Sequence, residues 1–122
     1  MQAFLSLLLL VAPALAEDAP AAAPPEPRLI DWQDVDVRVD ARGKSEDYPV
    51  EAREQKLPDA RCTVRVSIDP KGVPYDAVVS ECPLVFHEAA REITLRYRFY
   101  PYRIDGVKSH VAFDLKVNFK AP

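Results

Sequence analysis

Residues 109–119 read Ser-His-Val-Ala-Phe-Asp-Leu-Lys-Val-Asn-Phe, and from Val111 onward every second side chain is branched apolar or aromatic. Val111, Phe113, Leu115, Val117 and Phe119 share one parity. His110, Ala112, Asp114, Lys116 and Asn118 share the other. In an extended chain successive side chains point to opposite faces, so the pattern describes a strand with one face on a core and one toward water. Such a strand needs neighbours to satisfy its backbone and a cover for its apolar face.

The same period recurs over 62–68, where Cys62, Val64, Val66 and Ile68 alternate with Thr63, Arg65 and Ser67. Asp69-Pro70-Lys71-Gly72 follows. The proline pre-sets the second turn position, and the glycine takes the positive φ that closes a type I turn with a bulge. The chain returns over 75–81 with Ala77 and Val79 apolar, which makes a hairpin. Over 84–97 the period changes. Phe86, Ala89, Ala90, Ile93 and Tyr97 fall on one helical stripe, and Glu92 and Arg96 form an i,i+4 pair in the favourable order. Phe86, Ala90, Ile93 and Tyr97 are expected to cover the sheet face of Val64, Val66, Val79, Phe113 and Leu115.

Pro101 ends the helical pattern, and Asp105-Gly106 marks a turn. Upstream, Pro49 suits the first turn of a short helix over 48–54, which Pro58 closes. Residues 34–40 alternate Val35, Val37 and Val39 with charged residues. Two fates compete for this run: a strand added in cis to the edge of 109–119, or an acidic tail without order. The fold class is α+β. A small antiparallel sheet of about three strands, with one extra N-terminal strand available, packs against one main helix and a short helix.

The first sixteen residues carry no charged side chain, and the net charge of −3 resides in the rest of the chain. Their apolar run suits a signal segment and falls short of the about 20 residues that a spanning helix needs. Ala14-Leu15-Ala16 is a cleavage signal, although no Lys or Arg precedes the run. A short uncleaved anchor is the competing reading. Residues 17–33 are a Pro/Ala-rich linker, extended and polyproline-like through 19–27. Export places Cys62 and Cys82 in an oxidising compartment, where an even count favours a disulfide over two buried thiols. Both lie at the open end of the hairpin, one or two residues out of register, so a bulge there would bring them together.

Little else in the sequence speaks for chemistry. His87 and His110 are far apart, the cysteines lack CxxC spacing, and three glycines make no phosphate loop. No catalytic, metal or cofactor site is indicated; Ser67, Asp69 and His87 read as surface residues. The mild negative charge gives no long-range attraction for nucleic acid. The run from 96 to 103 interleaves basic and aromatic residues, and it reads as a helix end and short strand whose aromatics pack while the arginines reach solvent.

The ordered set of elements resembles the C-terminal domain of the TonB energy transducers. Tyr48-Pro49-Val50-Glu51-Ala52 matches its opening, and 64–72 match its strand and Asp-Pro-x-Gly turn. Phe86 stands at the start of its helix. Tyr97-Arg98-Phe99-Tyr100-Pro101 matches its Trp-Arg-Phe/Tyr-x-Pro signature, with Tyr97 in place of the usual Trp. The resemblance covers residues 48–120, with 34–47 ahead of it as a possible extra strand and loop. It implies a periplasmic protein-interaction domain, not an enzyme, that takes an extended receptor segment, the TonB box, onto a sheet edge. Carried onto this sequence, the partner-binding residues are Ser45, Glu46, Asp47 and Tyr48 together with His110, Ala112, Asp114 and Lys116. The implied partners are an outer-membrane receptor or an inner-membrane motor complex, with membrane contact only through an uncleaved N-terminus. The short apolar run and short spacer also suit an adaptor that reuses the fold without energy transduction.

Overall fold

The computed structural model describes residues 26–42, 44 and 47–122. The expected signal segment and the linker as far as residue 25 lie outside these residues. In chain order the strands are β1 (Arg28–Leu29), β2 (Val37–Val39), β3 (Ala60–Ile68), β4 (Pro74–Ser80), β5 (Arg98–Phe99), β6 (Arg103–Ile104), β7 (Val107–Lys108) and β8 (Val111–Phe119). The helices are α1 (Val50–Glu54) and α2 (His87–Arg96), the latter entered through a 3₁₀ turn at Leu84–Phe86.

The main sheet has the order β1-β8-β3-β4. β3 is central, antiparallel to both long neighbours, with Val64 opposite Leu115 on one side and Val79 on the other. Its alternation puts Cys62, Val64, Val66 and Ile68 wholly inside. α2 lies across β4 and β3 on that face, and Phe86, Ala90, Ile93 and Tyr97 are buried against it. The stripe therefore falls where the 3.6-residue period places it. Tyr97 is the first residue past the helix, already extended. Two aromatic groups close the ends of the core. Phe86 meets Tyr48 edge-on at 5.5 Å and Phe119 at 5.1 Å, while Phe99 stacks on Tyr97 and meets Phe113 edge-on at 5.1 Å.

Cys62 and Cys82 form a disulfide with Cα atoms 4.9 Å apart. The ladder pairs Thr63 with Ser80, so Cys82 lies one step beyond the residue that would face Cys62. Glu81 makes up that step with a left-handed backbone, φ 64°. Its bend swings Cys82 onto the inner face, the irregularity that the spacing required.

The turn at the other end of the hairpin is fixed by its glycine. Gly72 has φ 86°, its carbonyl accepts the Phe99 N–H at 3.0 Å, and a Cβ there would stand 1.9 Å from the Phe99 carbonyl oxygen. The first β-hairpin is thus pinned to the strand that leaves α2. Asp105 and Gly106, both at positive φ, make the tight turn between β6 and β7.

The N-terminal residues depart from expectation. The run over 34–40 is a strand only at Val37–Val39, because Trp32–Asp34 form a 3₁₀ turn capped by Asp31, whose Oδ1 accepts the Gln33 N–H at 2.9 Å. An Asx-capped turn competes with extension locally and cuts the alternating run short. β2 pairs with β5, with Val37 opposite Phe99, and not with the 109–119 strand. The segment that pairs with β8 is β1, within the stretch expected to be linker, and it runs parallel. Arg96 likewise reaches Asp47 at 3.2 Å rather than Glu92.

Gly72→Ala must force an L-residue into the left-handed region and push a Cβ into backbone that cannot yield cheaply. We expect a loss on the order of 3 kcal/mol or more in a urea melt; a loss below about 1 kcal/mol would show that the Phe99 contact is not a constraint.

Candidate partner-binding edge

A strand edge can take a new strand only where its backbone groups are unspent. On β8 the carbonyl of His110 accepts the Arg28 N–H at 3.2 Å, and that of Ala112 accepts the Ile30 N–H at 2.8 Å. Backbone groups in a strand alternate sides, so residues of this parity point outward while their neighbours bond to β3. The next outward residues are Asp114, Lys116 and Asn118. Among the described residues no strand pairs with them on that side. β1 ends at Leu29, and the 3₁₀ turn that follows at Trp32–Asp34 lies beside β8 without pairing to it.

The side chains here are fixed to the sheet's polar face. Asp114 takes a two-pronged bond from Arg65 on β3, and this bond holds the Asp114 carboxyl below the usual carboxylate range. Lys116 Nζ donates to Thr63 Oγ1 at 2.6 Å and lies 4.0 Å from Glu81. Between this edge and α2 is a cleft of about 200 Å3 lined by Arg42, Ile93, Tyr97, Lys116, Val117 and Asn118. Its apolar side chains come from the core, and its rim is cationic and amide-bearing. Arg42 is itself bound to Asp40 at 2.6 Å, which lowers the Asp40 carboxyl below its ordinary value. Burial raises the Tyr97 phenol above its ordinary value.

The residues expected at the site separate. Asp114 and Lys116 stand on the open stretch. Ala112 is buried and its carbonyl is taken by β1. His110 packs edge-on to Tyr75, its Nδ1 3.3 Å from the phenol oxygen. Asp47 is half-buried, accepting the Lys44 N–H at 2.8 Å and an Arg96 bond at 3.2 Å; the first of these lowers its carboxyl most. Tyr48 is a core residue whose hydroxyl donates to the Leu57 carbonyl at 2.7 Å. Ser45 and Glu46 lie outside the described residues. The expected site residues omitted Asn118, although it shares the parity of Asp114 and Lys116. Arg42 had no sequence signal, since only the fold carries it to the cleft.

A family model described as the Gram-negative bacterial TonB protein C-terminal matches residues 44–121, more than half of the chain. The chain belongs to this family. It is therefore a protein-interaction domain of the TonB C-terminal type, as the ordered motifs implied. No curated protein matches the chain. Among the described residues no helix is long and apolar enough to cross a membrane.

The carboxyls of Asp40, Asp47 and Asp114 are all lowered in the folded TonB-type domain. A carboxyl lowered on folding adds stability above its unfolded pKa and loses it as pH falls through the folded value. The urea midpoint should stay level near neutrality and drop below about pH 4. Asp47→Asn should flatten part of that slope and cost less than about 1 kcal/mol at pH 7, because the pair is solvent-screened. An unchanged slope would show that Asp47 carries none of it.

Proposed function

We propose that this domain binds a partner protein by taking an extended segment of it onto the outer edge of β8, at Asp114, Lys116 and Asn118. The observation that carries the reading is the run of outward backbone groups that no strand pairs among the described residues, beside a cleft whose side chains can seat every second residue of a peptide. Backbone bonds would supply affinity, and the cleft formed by Ile93, Tyr97 and Val117 would supply selectivity.

The setting we propose is the periplasm, with the N-terminal apolar segment directing export. The Cys62–Cys82 disulfide supports this, since such bonds persist in oxidising compartments. The partner class is an outer-membrane receptor segment of the TonB-box type, in energy-dependent uptake. The charged side chains beside the edge are already engaged by Arg65 and Thr63, so the bonds offered to a partner are mainly those of the backbone.

Titrating the labelled domain with a synthetic TonB-box-type peptide should slow amide exchange at Asp114, Lys116 and Asn118 by about tenfold or more. Lys116→Pro deletes the central outward donor and should weaken the peptide about tenfold, the worth of one backbone bond. Protection appearing elsewhere, with these three amides unchanged, would sink the reading.

A further inference from the structure

The start of the β8 edge is occupied by the chain itself. Arg28 and Ile30 donate to it as a strand would, with Arg28 in register with Val111 and Leu29 with Ala112. The occupancy is slight. β1 has two residues, both exposed, and Leu29 is 58% exposed. Trp32, two residues after Ile30, is 54% exposed and buries little. Ile30 alone in this stretch packs on the core.

Farther along, the same strap is held well. Val35 is buried, the Asp36 carbonyl accepts the Tyr100 N–H at 2.9 Å, and β2 pairs with β5. The capped turn at Trp32–Asp34 separates the two parts. The 28–30 segment can therefore leave β8 while 35–39 stays in place. Two donors of the strap bond to β8, and the parallel register adds the Ala112 N–H to the Arg28 carbonyl; three neutral backbone bonds favour the closed form by about tenfold to a thousandfold.

We infer that residues 28–30 are a built-in competitor for the β8 edge, a cis strand that an incoming strand displaces. The inference rests on the function proposed above and concerns how that edge is controlled. A partner seated only at 114–118 meets three outward residues. Displacing the strap adds His110 and Ala112 and opens the whole strand. For a partner that takes the whole strand, affinity is then set by its bonds less those of the strap, and a segment too short or too weak to displace it is left with 114–118 alone and binds more weakly.

The test uses the full chain and, as probe, a fluorescein-labelled peptide of its own residues 26–36. Arg28→Pro with Ile30→Pro deletes both donors to β8. Leu29→Pro is the control, because the Leu29 N–H has the opposite parity and points away from β8. The probe should bind the double variant about tenfold or more tighter than the native chain, with Leu29→Pro within about twofold of native. The Ala112 amide should exchange rapidly in the double variant and slow again when the probe is added. Equal affinity for native and double variant, or binding to neither, overturns the competitor.

A TonB-box-type peptide separates this result from the fate of the edge itself. If it protects Asp114, Lys116 and Asn118 with equal affinity in both proteins, the competitor falls and the proposed function stands. If the strap peptide behaves as expected while the box-type peptide binds neither protein, the competitor stands as a cis strand and the receptor-type function falls.

Discussion

Everything in this domain is referred to the ladder between β3 and its two neighbours. Among the described residues β3 is the only long strand paired along both edges, and four of its side chains, Cys62, Val64, Val66 and Ile68, have no exposure at all. Its ends are fastened by different means. At one end the disulfide ties Cys62 to the residue just ahead of the α2 turn. At the other, Gly72 allows the Phe99 backbone to approach where no side chain would fit. α2 is thus fixed to the hairpin at both of its ends, and its position over the sheet follows. The disulfide acts by restricting the unfolded chain, the glycine by permitting a contact in the folded one.

That fixity explains why an open strand edge can be maintained in a domain this small. Unpaired edges invite unwanted pairing, and proteins blunt them with charge or cover them. Both devices are present on β8. Asp114 and Lys116 are tied down to Arg65 and Thr63, so the edge carries charge without leaving it free to pair at random. β1 covers the first part with backbone bonds and little side-chain burial. A cover built that way is weak, and weakness is the property that a displaceable cover needs.

The alternating runs over 62–68 and 109–119, the Asp-Pro-Lys-Gly turn and the helical stripe from Phe86 to Tyr97 were all readable, because each is a local periodicity enforced by burial. The disulfide was readable as well, once the hairpin set its register. The candidate edge came from the resemblance, which points to the last strand and names Asp114 and Lys116 on it. Parity sets those two opposite the apolar set, and the same rule reaches Asn118. Tyr48 was drawn into the expected site by its place at the opening of the domain, next to 45–47, whereas its ring and hydroxyl serve the core. Arg42 was invisible, because its position in the cleft depends on where the strap is laid down by β2 and β5.

The sequence by itself determined the long strands, the main helix and most of the residues they bury, since side-chain hydrophobicity repeats with the period of the element that hides it. Only the tertiary structure decided which strands are neighbours at the edge. Residues 34–40 alternate well, and a place beside β8 was one of the two fates open to them, yet the place went to Arg28 and Leu29, which show no alternation. Edge pairing is made by backbone N–H and C=O groups that every non-proline residue carries. Two residues joined that way leave no mark in the side chains, and the choice between competing segments is settled by the reach of the chain and the turn at Asp31.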